Sequence, residues 1–309
     1  MKNYIRKRLL SIIPILIGIS FLSFVVINLS PSDPAEVALR ANEIVPTEEA
    51  VHQMRSKLGL DRPFLERYKI WLGNSLRGDF GKSYINSKPV SYEIKQALPY
   101  TLYLSAVSLL ITISSSILIG VLCAVYEDSI GDKIVRGFVF LFTAMPGFWI
   151  GLLLIWTFSV KLDIFPTSGA QTAGSVVLPA VTLSLGYIST YVRLIRNKMI
   201  QNKHENYILY ARARGLKEST ITRHLFKNSL LSSVTALGMS IPKLIAGTFV
   251  VENIFAWPGI GRLCVNAIFN RDYPVIQAYI LIMAVMFVIC NLLVDIISTV
   301  IDPRMRGEK

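Results

Sequence analysis

Six runs of mostly apolar residues interrupt an otherwise polar chain: Leu9–Leu29, Thr101–Val125, Ile134–Val160, Val176–Leu194, Leu230–Val251 and Val275–Ile301. About 20 apolar residues in a helix cross the hydrocarbon of a bilayer, so each run predicts a membrane-spanning helix, TM1 to TM6 in chain order. The fourth is the weakest, being short, rich in Ser and Thr, and holding Pro179 and Gly186. Lys2, Arg6, Lys7 and Arg8 precede the first run, as in a signal peptide. That run is too long for a signal and no small-residue cleavage site follows, so it reads as an uncleaved anchor.

The pattern divides the chain into a tail (1–8), TM1 (9–29), a polar segment on the far side (30–100) and a core of five spans (101–309). Within the core the expected parts are TM2 101–125, TM3 134–160, TM4 176–194, an inner loop 195–229, TM5 230–251, an outer loop 252–274, TM6 275–301 and a tail 302–309. Charge tests this topology independently, because Lys and Arg accumulate on the cytoplasmic side. Segments assigned inside carry a net +11, of which Arg193–Lys227 holds +7, while those assigned outside carry +1. Both termini are therefore expected in the cytoplasm of a bacterial cell, in a multi-pass inner-membrane protein.

Composition agrees. Of 309 residues 52% are hydrophobic and 17% charged, with a mean hydropathy of +0.50; a soluble domain has about a quarter charged residues. The net charge of +12 would suggest a nucleic-acid partner in a soluble fold. Its concentration on the inner side removes that reading and leaves lipid and a cytoplasmic partner. Cys123, Cys264 and Cys290 form no CxxC pair, which excludes a disulfide framework and a cysteine-based zinc site.

Two charges fall inside spans, Lys243 and Asp295. Intramembrane charges are expensive and mark functional candidates, although pairing and snorkelling explain them equally well. Pro242 precedes Lys243 and removes a helix hydrogen bond there. Met283, Met286 and Cys290 share one face of TM6, either as soft ligands or as ordinary packing. His52, His204 and His224 have no ligand spacing, and no metal site is expected. In the outer segment, Pro46–Leu58 patterns as a helix capped by Thr47. Gly81-Lys82-Ser83 looks like the end of a phosphate loop, but Leu76 stands where its first glycine belongs and no strand precedes it.

The inner loop is the most informative segment. Tyr207 to Glu218 reads as a short helix, a turn at Gly215 and a second helix from about Ser219. Ala211 and Ala213 are small enough for close approach of another backbone, which favours protein docking over contact with anionic lipid.

Ala211-Arg-Ala-Arg-Gly215 resembles the Glu-Ala-Ala…Gly loop of permease subunits in ABC importers. Ala211 falls on its second alanine and Gly215 on its glycine. Leu209 and Tyr210 stand at the glutamate and first alanine, a departure usual in the peptide/nickel branch, and Lys227-Asn228 replaces the closing Leu-Pro. Further matches run along nearly the whole chain: Asp33-Pro34, Leu58-Gly-Leu-Asp-Arg-Pro63, Gly78-Asp-Phe-Gly81 with Pro89-Val90, Met145-Pro-Gly-Phe-Trp149, Leu178-Pro-Ala180, Glu252 through Trp257-Pro-Gly-Ile-Gly261, and Asp302-Pro-Arg304. Seven in order indicate the dipeptide/oligopeptide/nickel permease branch, first-subunit type. Phe255-Ala-Trp-Pro-Gly with Ala267 through Gln277 is most similar to nickel-type members.

The resemblance implies an all-α type I ABC importer permease fold, with an extra N-terminal helix and outer segment. It implies a translocation subunit without enzymatic activity or cofactor of its own, ATP and Mg being held by partner subunits. The implied partners are a second homologous permease, two cytoplasmic ATPase subunits and an extracytoplasmic solute-binding protein. Leu209, Tyr210, Ala211, Arg212, Ala213, Arg214, Gly215 and Leu216 would couple to the ATPase. Lys243, Met239, Trp257, Met283 and Met286 are the candidates for the translocation path. The loop after TM5 is read either as a plug or as a plain structural turn. Cargo would be nickel or a chelated metal, with di- or oligopeptides as the alternative. An ion-coupled transporter or channel would need more intramembrane charges or inverted repeats, and an intramembrane enzyme would need paired catalytic groups in the spans.

Overall fold

A computed structural model describes residues 2–29 and 32–301; the expected tail at 302–309, with Asp302-Pro-Arg304, lies outside them. Among these residues the protein is all-α, with one isolated antiparallel bridge between Lys82 and Pro89. Helices α1 (Lys2–Asn28), α5 (Val90–Val125), α8 (Val177–Lys203) and α13 (Tyr273–Ile301) contain stretches long and apolar enough to cross a membrane. Three short helices, α2 (Pro34–Ala41), α3 (Glu48–Lys57) and α4 (Phe64–Leu76), lie between α1 and α5.

Two expected spans are interrupted. The third is a pair, α6 (Ile130–Ala144) and α7 (Gly147–Leu154) with a π-helical continuation to Lys161, bent by 110°. Pro146 forces the preceding Met145 into an extended conformation (ψ 138°), so the helix cannot continue through it. Together the pair is long and apolar enough for either one broken span or a re-entrant loop. The fifth is divided between α10 (Glu218–Gly238) and α11 (Ile241–Ile254), and is not among the helices that pass as spans. Pro242 sits in the first turn of α11, where its missing N–H costs no hydrogen bond. The six apolar runs thus correspond to four unbroken helices and two interrupted ones.

The chain forms two compact units. The first joins Met1–Thr101 to Pro258–Val288, and its helices include α12 (Ile260–Phe269). Its core is Val90, Ile94, Ala267, Val275 and Ala278, with Phe80, Leu98 and Leu263 packed against them. This explains how a polar segment, too poor in apolar residues to fold alone, finds a core: α12 and the first turns of α13 (Tyr273–Ile301) supply Ala267, Val275 and Ala278. Asp272 ties the two stretches together. Its buried carboxylate accepts from the Ser83 hydroxyl and, at 3.1 Å, from the Tyr84 amide. Burial pushes its pKa up, and these hydrogen bonds pull against that shift. Gly78 and Gly81 adopt positive φ and Asp79 accepts the Gly81 amide at 3.0 Å, so the Gly-Asp-Phe-Gly segment is a turn following a helix and not a phosphate loop. Thr47 caps α3 as its sequence predicts, accepting from the Ala50 amide.

The second unit joins Leu102–Trp257 to the chain from Ile289 onward. Helix α8 is its centre, packed by α6, α7, α10 and α11. That position accounts for its weak hydrophobic signal. A helix surrounded by protein needs small and hydroxyl residues for close packing more than it needs bulk. Thr182 returns its hydroxyl to the Leu178 carbonyl at 2.7 Å, and Ser184 donates to Ala180 and, across helices, to the Ser108 carbonyl at 2.9 Å. Among the glycines of these helices the tightest contact is at Gly120 of α5. A Cβ there would stand 2.9 Å from the Ile195 Cβ and 3.2 Å from the Val192 carbonyl oxygen. Only glycine permits this crossing.

Gly120→Ala should therefore force the helices apart at a cost of about 1–3 kcal/mol. Thermal unfolding in detergent should show a lowered midpoint, with Gly137→Ala, which meets nothing within 4 Å, close to wild type. Equal midpoints for the two variants would refute the close crossing.

Candidate functional site

The inner loop begins as a continuation of α8, which runs on to Lys203. Helix α9 (Asn206–Ala213) follows, then Gly215, then α10 from Glu218. Gly215 has φ +71°, its amide donates to the Arg212 carbonyl at 2.9 Å, and the Leu216 amide reaches back to Ala211 at 3.2 Å. This paired pattern is a Schellman stop, which requires the left-handed conformation that glycine adopts freely. The helix–glycine–helix expected from sequence is what forms.

One residue that the sequence did not single out holds α9 in place. Ile208 is 1% exposed, in a cluster with Ala124, Ile195, Met199, Ile221 and Leu225, and Ala211 packs on the same cluster one turn later. The small size of Ala211 thus serves packing within the chain. Its signal was the i, i+3 spacing of Ile208 and Ala211 inside a basic loop. The remaining candidates face outward: Leu209 is 68% and Tyr210 71% exposed, and Arg212, Ala213, Arg214, Gly215 and Leu216 are exposed as well. Arg212 lies 3.3 Å from Glu218, bridging the turn at the surface. Leu209 and Tyr210 thus form an outward pair of large apolar side chains with Arg212 and Arg214 exposed beside them.

The ends of the surrounding helices are clamped by charge. Arg196 of α8 donates from Nε and Nη2 to the two carboxylate oxygens of Asp132 at 2.8 and 2.7 Å, and Asp132 is fully buried at the start of α6. Lys203 pairs with Glu127 at 3.0 Å, and Asn202 donates to Ser229 at 2.8 Å. A fork-on-carboxylate pair of this kind fixes orientation as well as distance.

The translocation candidates divide between the units. In the second, Met239 lies at the break before α11 and Lys243 in that helix's first turn, both exposed. Trp257 is 2% exposed, stacked on Tyr103 at 6.3 Å and packed with Leu104, Val251 and Phe255, so it supports the Trp-Pro-Gly turn from within. In the first, Met283 and Met286 are partly buried on α13. Among the described residues no group of three or more His, Cys, Asp or Glu side chains is arranged to hold a metal ion.

Residues 116–307 match the family model for the inner membrane component of binding-protein-dependent transport systems, and residues 1–105 match the N-terminal model of such components. The chain belongs to this family. A metal-staphylopine import system permease protein of Staphylococcus aureus is 38% identical over 307 residues, covering 99% of both chains. An oligopeptide transport system permease protein of Bacillus subtilis is 39% identical over 317 residues, again 99% of both. A glutathione transport system permease protein of Escherichia coli is 34% identical over 307 residues and 99% of both. Among solved structures, the inward-facing MetNI methionine ABC transporter aligns with a TM-score of 0.58 at 18% identity, over 70% of this chain and 99% of that one. That likeness shows the fold. The family member described here is accordingly a multi-pass inner-membrane permease subunit of an ABC importer, of the dipeptide/oligopeptide/nickel type, and ATP hydrolysis in such importers belongs to separate subunits.

Ile208→Ala should loosen α9 from its seat by about 3 kcal/mol, or ~100-fold in local opening. Hydrogen exchange should accelerate in α9 and stay unchanged in the middle of α8, while Leu209→Ala leaves both as in wild type. Unchanged exchange in the Ile208 variant would show that the side chain is no anchor.

Proposed function

We propose that this permease imports nickel, or a chelated nickel or other metal complex, handed over by an extracytoplasmic solute-binding protein. It pairs with a second homologous permease above two cytoplasmic ATPase subunits, with both its termini in the cytoplasm. Residues Leu209–Leu216 form the coupling element. The observation that carries this is the anchored helix α9, with Ile208 buried and Leu209 and Tyr210 turned outward. Closure of the ATPase pair on ATP pushes this face, and the clamped helix ends carry the push into α8 and α6. The two arrangements of the bundle then alternate access between the two sides.

Lys243 and Met239 border the translocation path at the interrupted fifth span, and Met283 and Met286 line it on α13. Trp257 acts indirectly, holding the Trp-Pro-Gly turn. The metal crosses wrapped by a small carrier, with selectivity set by the binding protein. The nickel-like stretches Phe255–Gly259 and Ala267–Gln277 and the metal-staphylopine relative support this cargo. The oligopeptide relative, at similar identity, favours a second reading in which the cargo is a di- or oligopeptide.

Gly215→Val puts a β-branched residue at φ +71°, a strain of about 1–3 kcal/mol. In the reconstituted complex it should abolish substrate-stimulated ATPase and lower uptake at least ~10-fold while leaving assembly intact. Normal stimulation would refute the coupling role. Lys243→Ala should change uptake rate without affecting co-purification of partners; loss of co-purification would make the residue structural. Labelled nickel, supplied with and without a chelator, and a labelled dipeptide should be compared in a strain lacking this gene. Loss of nickel uptake alone is expected, whereas loss of dipeptide uptake alone would replace the metal reading with the peptide one.

A further inference from the structure

The outer end of α1 carries a feature that coupling and transport leave unexplained. Phe21 and Phe24 of α1 receive Phe64, Tyr68 and Trp71 of α4, with ring centroids 5.2–6.2 Å apart. The Tyr68 hydroxyl meets that of Ser20 at 2.8 Å. Helix α4 is therefore fastened across the last turns of an apolar helix whose spanning stretch ends at Asn28. Aromatic belts of this kind mark the boundary between hydrocarbon and water.

At 100° per residue, Leu65, Leu72 and Leu76 fall on one side of the aromatic seat of α4 and Arg67 on the other. Leu65 and Leu76 are exposed. A helix lying in the interface has this layout, with leucines toward acyl chains and the cation toward headgroups. Beside Arg67 opens a cavity of about 290 Å³, lined by Ile27, Asn28, Ser32, Asp33, Arg55 and Arg67, among others. Its two guanidiniums are not equivalent. Arg55 is neutralised by Asp33 at 2.7 Å. Arg67 donates to the neutral Asn28 amide oxygen at 2.7 Å and lies 5.9 Å over the Phe64 ring, and among the described residues no carboxylate pairs with it. A partly buried cation that keeps only neutral partners is costly unless an anion from outside completes it.

We propose that this cavity binds a phosphate-bearing anion, and that its occupant is the phosphodiester headgroup of a phospholipid, held by Arg67 with Asn28 at the end of α1. The lipid locks α4 to α1 and sets the depth of the outer segment. Assignment to the outer leaflet rests on the orientation proposed above; the phosphate site does not depend on which cargo is carried.

Native mass spectrometry of the assembled transporter, extracted from phosphatidylglycerol–phosphatidylethanolamine bilayers, counts the phospholipids that survive mild detergent. Arg67→Gln should retain the bound phospholipid about tenfold less than wild type. Asn28→Asp keeps the side-chain size, gives Arg67 a carboxylate within the chain, and should show the same loss. Arg77→Gln, exposed and outside the cavity, should leave retention unchanged. Should Arg67→Gln fail to assemble, the Asn28→Asp result decides alone. Retention in Asn28→Asp equal to wild type would overturn the site. Displacement of the lipid by millimolar inorganic phosphate would overturn the lipid as its occupant.

Discussion

The organisation of the second unit depends on how closely α5 can approach α8. The two helices meet at Gly120, where a single added carbon would sit inside the contact distance of Ile195 and of the Val192 carbonyl. In a membrane no hydrophobic force draws helices together, since lipid tails are as apolar as leucine. Association must come from close packing and from hydrogen bonds such as Ser184 to Ser108. With α8 held at this distance, α6, α7, α10 and α11 pack around it, and its far end carries α9. The same helix is thus both the core of the bundle and the support from which α9 projects.

The lever proposed for coupling works only if its joints are stiff. Three contacts stiffen this one: the buried Asp132–Arg196 pair, the Lys203–Glu127 bridge and the seat of Ile208. Removing one partner of a buried pair leaves an uncompensated charge and costs about 3–5 kcal/mol, so the Asp132–Arg196 connection has strong reason to persist through a conformational change. Lys203–Glu127 is more exposed and contributes less. Gly215 plays the opposite part, ending α9 abruptly so that its outward face stands clear of α10.

Much of the fold was legible in the chain, because bilayer thickness and backbone satisfaction leave few choices for long apolar runs. TM1, TM2, TM4 and TM6 each lie within a single helix, and the helix–glycine–helix of the inner loop formed where its small residues and glycine indicated. The interruptions were harder to read. Pro146 and Pro242 were visible, but a proline inside an apolar run can start, kink or end a helix, and only packing decides which. The weak hydrophobicity of α8 carried information of a different kind. It signalled a central position, a distinction that hydropathy cannot make by itself. Ile208, Asp132 and Asp272 escaped notice because each acts on a partner distant in sequence, and one chain gives no sign of such pairings. Trp257, a candidate for the translocation path, is buried against Tyr103, a partner that lies far back along the chain.

The central claim is that α9 presents its Leu209–Tyr210 face to an ATPase subunit while Ile208 faces inward. The native cysteines Cys123 and Cys264 are buried and Cys290 is partly exposed, so with Cys290 replaced by Ser engineered thiols can be followed with little background. Single cysteines at 208, 209 and 210 in the assembled transporter, treated with a short bifunctional cross-linker, test the claim directly. The account predicts cross-links to the ATPase subunit from Leu209→Cys and Tyr210→Cys and none from Ile208→Cys. Cross-linking from Ile208→Cys with none from the other two would contradict it.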